Sequence, residues 1–283
     1  MPSPLQKLPM RSCFFVLLGV VVAASSAHAD TVSYADSTNP LAFFALQSQS
    51  QGSTVNGYTT TYNNGASTVP SNGGPQPNAV SLNGDNSSPQ YVSTSLFGGV
   101  NGAGSISAYI NLAAGLNGGQ VEYIAGESQV GNDLDLQLVN SSPGVESLCF
   151  YTDAGSSTCG NISDSSLVGS WNMVTATYDS STGNQDLYLD GTLLASNNNG
   201  TPGLKVDQFT IGYSTVFGSR DFDGDISDVG IWDYQLTGTQ VLGLYDAASS
   251  STPPSSTPEP SSLALLGTGI LGAAGAFRRR IRR

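Results

Sequence analysis

Between Thr31 and Ala247 short apolar runs alternate with clusters of Gly, Ser, Asn and Thr, and no apolar repeat at helical spacing is sustained. SISAYINL (Ser105 to Leu112), QVEYIAG (Gln120 to Gly126), NDLDLQLVN (Asn132 to Asn140), WNMVTATYD (Trp171 to Asp179), QDLYLDG (Gln185 to Gly191) and DQFTIGY (Asp207 to Tyr213) predict strands of about five to eight residues. Turn residues between them indicate an all-β antiparallel sandwich, not a parallel α/β sheet. In NDLDLQLVN the side-chain period of two puts Leu134, Leu136 and Leu138 on a core face, and Asp133, Asp135 and Gln137 on a face expected in water. Asp190-Gly191 predicts a tight hairpin between LYL and LLA. One helix is expected at the end of the domain, where Thr237 and Gln240 form a capping box ahead of Val241, Leu242, Leu244 and Tyr245. Gly238 and Gly243 should hold it to a turn or two.

The two ends follow other rules. Lys7 and Arg11 precede the apolar run CFFVLLGVVVAA, and Ala27-His28-Ala29 has the small-residue pattern of a cleavage site. Residues 1–29 therefore read as a signal peptide cut after Ala29. At the other end, ASSSTPPSSTPEP (248–260) is an extended linker, and 261–283 combines an uncharged stretch from Ser261 to Phe277 with a cluster of arginines. That stretch is just long enough to cross a bilayer as a single helix, with the arginines cytoplasmic and the domain of residues 30–247 outside.

Charge and rare residues narrow the chemistry. The chain of 283 residues has 9 Lys plus Arg and 21 Asp plus Glu. Seven of the cations lie in the terminal segments, so Asp30 to Glu259, with Lys205 and Arg220 alone against 21 acids, stands at −19. Nucleic acid is excluded as a partner held by charge. The only histidine, His28, leaves with the signal peptide, and Cys13 with it. A mature chain without histidine has no Ser-His-Asp triad and no histidine-rich zinc site. Cys149 and Cys159 remain, an even pair in an exported protein that reads as a disulfide worth ~2–3 kcal/mol in the chain-entropy model.

WNMVTATYDSSTGNQDLYLDGTLLA followed by FTIGYSTVFGSRDFDGDISDVGIWDYQLTGTQVLGLY resembles the second half of laminin-G-like, concanavalin A-like jelly-roll domains. NPLAFFALQSQ, AVSLNGDNSSPQYVS and SISAYINL are similar to successive blocks of the first half. The resemblance implies two curved antiparallel sheets whose loops bind sugars or proteins and often carry a structural calcium ion; the same fold also serves glycosidases and spacers. Pro258-Glu259-Pro260, the apolar stretch and the terminal arginines resemble the PEP-CTERM sorting signal of Gram-negative exopolysaccharide producers. That resemblance implies processing by the membrane enzyme exosortase.

Candidate chemistry is sparse. The mature domain has only Glu122, Glu127 and Glu146 as glutamates, none paired with an acid at i, i+2 as a concanavalin A-like glycosidase requires. DFDGDISD offers Asp221, Asp223 and Asp225, and with Asp85 from NGDN these are the expected oxygen ligands for Ca²⁺. Sugar binding calls for exposed aromatics, for which Tyr58, Tyr62, Tyr91, Tyr213 and Phe217 are candidates, while Tyr109, Trp171, Tyr178 and Trp232 are expected in the core. The expected function is a non-catalytic surface or extracellular-matrix protein, sorted through its carboxy terminus and open to polysaccharide binding. A lectin with a defined glycan is the alternative, and a glycoside hydrolase stands behind both.

Overall fold

A computed structural model describes residues 31–97, 102–129, 132–153, 156–198, 208–218 and 220–249. The expected signal peptide, the Pro-Glu-Pro triplet and the apolar carboxy-terminal helix lie outside these residues; among those described, no helix is long and apolar enough to cross a membrane.

Two antiparallel sheets face each other. The first is built from β1 (Ala42–Phe44), β3 (Ser67–Pro70), β4 (Asn78–Asn83), β6 (Ala103–Leu112), β11 (Trp171–Asp179), β12 (Asn184–Leu189), β13 (Thr192–Asn197) and β15 (Asp223–Trp232). Its order is β13-β12-β11-β6-β15-β4-β3, with β1 also paired to β15. The second contains β2 (Thr60–Asn63), β5 (Tyr91–Phe97), β7 (Val121–Gln129), β8 (Asn132–Ser142), β9 (Val145–Asp153), β10 (Ser156–Ser163) and β14 (Gln208–Ile211), in the order β10-β9-β8-β7-β14-β5-β2. Neighbours in space are often distant in sequence, as expected of a jelly roll rather than a meander.

The inter-sheet core follows the predicted alternation. Leu134, Leu136 and Leu138 of β8 face Ile106, Ile110, Val174 and Ile226 of the first sheet within one continuous apolar cluster. The Asp190-Gly191 hairpin joins β12 to β13, with both residues at positive φ (48° and 75°), as a type I′ turn requires. Asp190 Oδ1 also accepts the Met173 N–H at 2.8 Å, tying the turn to β11.

Three short helices complete the domain: α1 (Thr31–Ser37), α2 (Asp164–Leu167) and α3 (Gly238–Ser249). α1 and α3 pack on the outer face of the first sheet, where a second cluster forms from Ala35, Phe43, Tyr109, Met173, Trp232, Leu236, Val241 and Leu244. The capping box forms as read: the Gln240 N–H donates to Thr237 Oγ1 at 3.3 Å, and the Thr237 N–H to Gln240 Oε1 at 2.9 Å. The helix nonetheless runs for 12 residues, longer than its glycines suggested. Burial of Val241 and Leu244 offsets the propensity cost, and Gly243 has a packing reason. A Cβ there would land on the Tyr34 hydroxyl of α1, so the glycine is what lets the two helices touch.

This gives a test with an unusual sign. Alanine is favoured over glycine by about 1 kcal/mol in a helix interior, yet Gly243→Ala should destabilise the domain by roughly 1–3 kcal/mol through overpacking. Urea denaturation should show the loss and its partial recovery in Gly243→Ala/Tyr34→Ala; a more stable Gly243→Ala would contradict the packing argument.

Candidate functional site

The outer face of the second sheet departs most from expectation. Asp135 and Gln137, expected in water, are 1% and 3% exposed, and Tyr123 beside them is fully buried. Alternation assigns them correctly to the face opposite the leucines; what it does not supply is the cover on that face. Part of that cover comes from the connection between β14 and β15. The Gly212 N–H donates to the Ile124 carbonyl at 2.9 Å and the Tyr123 N–H to the Arg220 carbonyl at 3.2 Å, so the connection leaves and rejoins the edge of β7 at two fixed points. From it Arg220 Nη1 donates to Gln137 Oε1 at 3.0 Å, and the guanidinium lies 4.2 Å from the centroid of the Phe217 ring. Beneath, the Tyr123 hydroxyl donates to Asp135 Oδ1 at 3.0 Å, so the buried carboxylate has a partner.

The same connection carries Tyr213, whose ring lies 5.3 Å from that of Tyr91 on β5. Tyr91 and Tyr213 are half-buried, and Phe217 is 40% exposed with Val216 beside it. Three of the five candidate aromatics thus fall on one face. Tyr58 and Tyr62 instead pack against the inter-sheet core, and burial pushes the Tyr62 hydroxyl up to about 12. Of the four expected in the core, Tyr109, Tyr178 and Trp232 are buried, while Trp171 is half-buried with its Nε1–H on the Ser71 carbonyl at 2.7 Å.

Cys149 and Cys159 are directly opposed on β9 and β10 and form the disulfide. Cys149 alternates with the core residues Leu148 and Phe150 and pairs with Gln137, so the bridge lies on the same outer face.

The expected calcium ligands divide. Asp221 is 4% exposed and neither of its carboxylate oxygens is hydrogen-bonded to another residue. Burial raises its pKa and the nearby charge of Asp85 raises it further. Asp85 is exposed, and its pKa is held low by the Ser87 hydroxyl (2.6 Å) and N–H (2.9 Å) on Oδ1. Asp223 lies beside Gly84. Asp225 is engaged by the Ser81 side chain, and burial raises its pKa. Among the described residues no three His, Cys, Asp or Glu side chains gather closely enough to hold a metal ion.

All three glutamates weighed in the sequence for their spacing, Glu122, Glu127 and Glu146, are buried, although strand glutamates usually face water. Glu122 and Glu146 are 2% and 0% exposed. Glu122 shares a face with Leu138, accepts the Asp223 N–H at 3.2 Å, and is pushed by burial to about 8. Glu146 accepts the Leu116 N–H at 2.8 Å, and its pKa is raised by burial and by hydrogen bonding with the Asp164 carboxyl, with Asn140 opposing. Carboxyls raised in the folded state stabilise below the ordinary glutamate range, and that contribution is lost as pH rises toward the folded values.

The chain belongs to the concanavalin A-like lectin/glucanases superfamily: its laminin-G-type family model matches residues 82–242. A PEP-CTERM protein-sorting motif matches residues 256–280. No curated protein matches the chain. Among solved structures it is similar to domain 4 of AbnA, an extracellular arabinanase from Geobacillus stearothermophilus, in complex with arabinotriose: 17% identity over 72% of this chain and 97% of that one, TM-score 0.54. It is also similar to the ligand-binding domain of botulinum neurotoxin serotype D in complex with N-acetylneuraminic acid: 17% identity, 76% of this chain, 52% of that one, TM-score 0.56. The chain therefore spans about half the length of that neurotoxin domain. At these identities the likeness is one of fold.

Wild-type protein should be less stable to urea at pH 8.5 than at pH 5.5, and Glu122→Gln should remove part of that slope. A stability that is level or rising across this interval would show that the buried carboxyls are not held protonated.

Proposed function

We propose that this protein is a non-catalytic carbohydrate-binding β-sandwich, exported and sorted through its carboxy terminus to the cell envelope or the extracellular polymer. The observation that carries the binding half is the aromatic and polar face on the second sheet, where Tyr213 packs on Tyr91 of β5 and the Arg220 guanidinium lies over Phe217, on a connection held to β7 at two points. Aromatic rings give flat apolar area at low entropic cost, and neighbouring amides and charges fix orientation, which is the chemistry a sugar ring needs. The arabinotriose complex of the arabinanase domain supports the reading as an analogy of fold. The non-catalytic half rests on the glutamates, since Glu122, Glu127 and Glu146 have no acid at i, i+2, and on Asp135 of β8, which is 1% exposed and takes the Tyr123 hydroxyl, so that its alternate-position neighbour Asp133 has no exposed acid partner there.

The sorting half rests on the PEP-CTERM motif. An exosortase-type enzyme is the processing partner, acting at or near Pro258-Glu259-Pro260. The uncharged stretch from Ser261 to Phe277 holds the chain in the membrane until then, and polysaccharide is the partner afterwards.

Both halves can be tested on the native protein. Binding to a panel of immobilised neutral and acidic polysaccharides should weaken by roughly tenfold or more in Tyr213→Ala and Phe217→Ala, each with an unchanged melting temperature. Equal binding by wild type and both variants would move the site elsewhere, and no binding by any would remove the carbohydrate reading. Mass spectrometry of the mature protein from its host should find the extracellular form ending before Ser261; a chain intact through Arg283 in every fraction would contradict processing.

A further inference from the structure

We propose that the Arg220 guanidinium is the seat for a sugar carboxylate, so that the glycan bound on this face contains uronic acid. The inference rests on the carbohydrate-binding reading and adds the chemical class of the ligand.

Arg220 is the one lysine or arginine among the described residues. In a stretch that stands at −19, a cation with a purely structural task would be expected to pair with an acid. Among the described residues Arg220 makes no such pair. Its contacts are a neutral amide, Gln137 Oε1 at 3.0 Å from Nη1, and the Phe217 ring, 4.2 Å from the guanidinium carbon. The nearby carboxylates are disposed of otherwise. Asp135 takes the Tyr123 hydroxyl at 3.0 Å. Neither carboxylate oxygen of Asp221, next in the chain, is hydrogen-bonded to another residue, so it does not pair with the guanidinium.

A guanidinium carries five N–H donors in a planar fork and no acceptor. One donor is used by Gln137, the residue is half-buried, and the side chain makes no other hydrogen bond to the described residues, so donors remain for a ligand. Its orientation is already set. The Arg220 carbonyl is held by the Tyr123 N–H at 3.2 Å, the head by Gln137, and one side by an aromatic face. A fork held in this way meets a carboxylate through two parallel hydrogen bonds with little further loss of freedom. Tyr213 on the same connection, backed by Tyr91 at 5.3 Å, supplies a flat apolar surface for a pyranose ring. The protein's overall charge opposes long polyanions at low ionic strength, but at 0.15 M the Debye length is about 8 Å and the local contacts decide.

The test is calorimetric titration at 0.15 M salt with short oligosaccharides of galacturonate, mannuronate and glucuronate, their methyl esters, and neutral arabinan and galactan oligosaccharides. At least one uronate should bind about tenfold or more tightly than its ester. Arg220→Gln should weaken that uronate roughly 10- to 100-fold while leaving ester binding within about twofold, and Arg220→Lys should fall between. Equal affinity of wild type for acid and ester would overturn the uronate assignment and leave the carbohydrate reading standing. Binding to no oligosaccharide would count against both. A loss in Arg220→Gln that is the same for acid and ester would make Arg220 a shaper of the face and overturn the assignment. If Arg220→Gln fails to fold, the acid-to-ester ratio in wild type and its reduction in Arg220→Lys decide the matter.

Discussion

β7 and β8 are buried on both faces, and the aromatic and cationic surface above them depends on that. On the inner side the requirement is met by leucines against the opposite sheet. On the outer side Tyr123, Asp135 and Gln137 are polar or partly polar, and such groups withdrawn from water must find hydrogen bonds. The connection between β14 and β15 helps to answer both needs. It is clamped to β7 by two backbone bonds, and its Arg220 is the hydrogen-bond donor for Gln137. Covering the sheet therefore fixes Tyr213, Phe217 and Arg220 in place, so a packing requirement of the sandwich produces an ordered aromatic and cationic surface.

The edges and the end of the sandwich show how the domain holds that surface. The Cys149–Cys159 bridge ties β9 to the edge strand β10 on the side where Gln137 lies, which restrains the end of the sheet that would otherwise fray. The pKa of the Tyr213 hydroxyl is raised by burial and by the charge of Asp221, which is itself near enough to Asp85 to feel its charge. Glu122 and Glu146 introduce ionisable groups on the core side, so stability is linked to proton uptake.

The sandwich was legible because its strands carry their own signals. The alternation of β8, the Asp190-Gly191 turn and the Thr237–Gln240 box each depend on residues a few positions apart. The site depends on pairs far apart in sequence. Arg220 and Gln137 are separated by 83 residues, and nothing local to either reports the other. For the same reason the period of two divided β8 into faces correctly but left Asp135 and Gln137 in water. Gly243 was read as a weakness of its helix because its partner, Tyr34, lies in α1 more than two hundred residues earlier. Only Tyr91, Tyr213 and Phe217 were anticipated at the site, and only as aromatics.

A sorting motif stands at one end of the chain, and the proposed ligand face lies in its middle, on the outer side of the second sheet. The most direct measurement is a backbone amide NMR titration with the oligosaccharide that binds most tightly. Shifts should be confined to Tyr91, Tyr213, Phe217, Arg220 and the underlying Tyr123 and Gln137. Shifts centred instead on α1, α3 and the outer face of the first sheet would contradict that location.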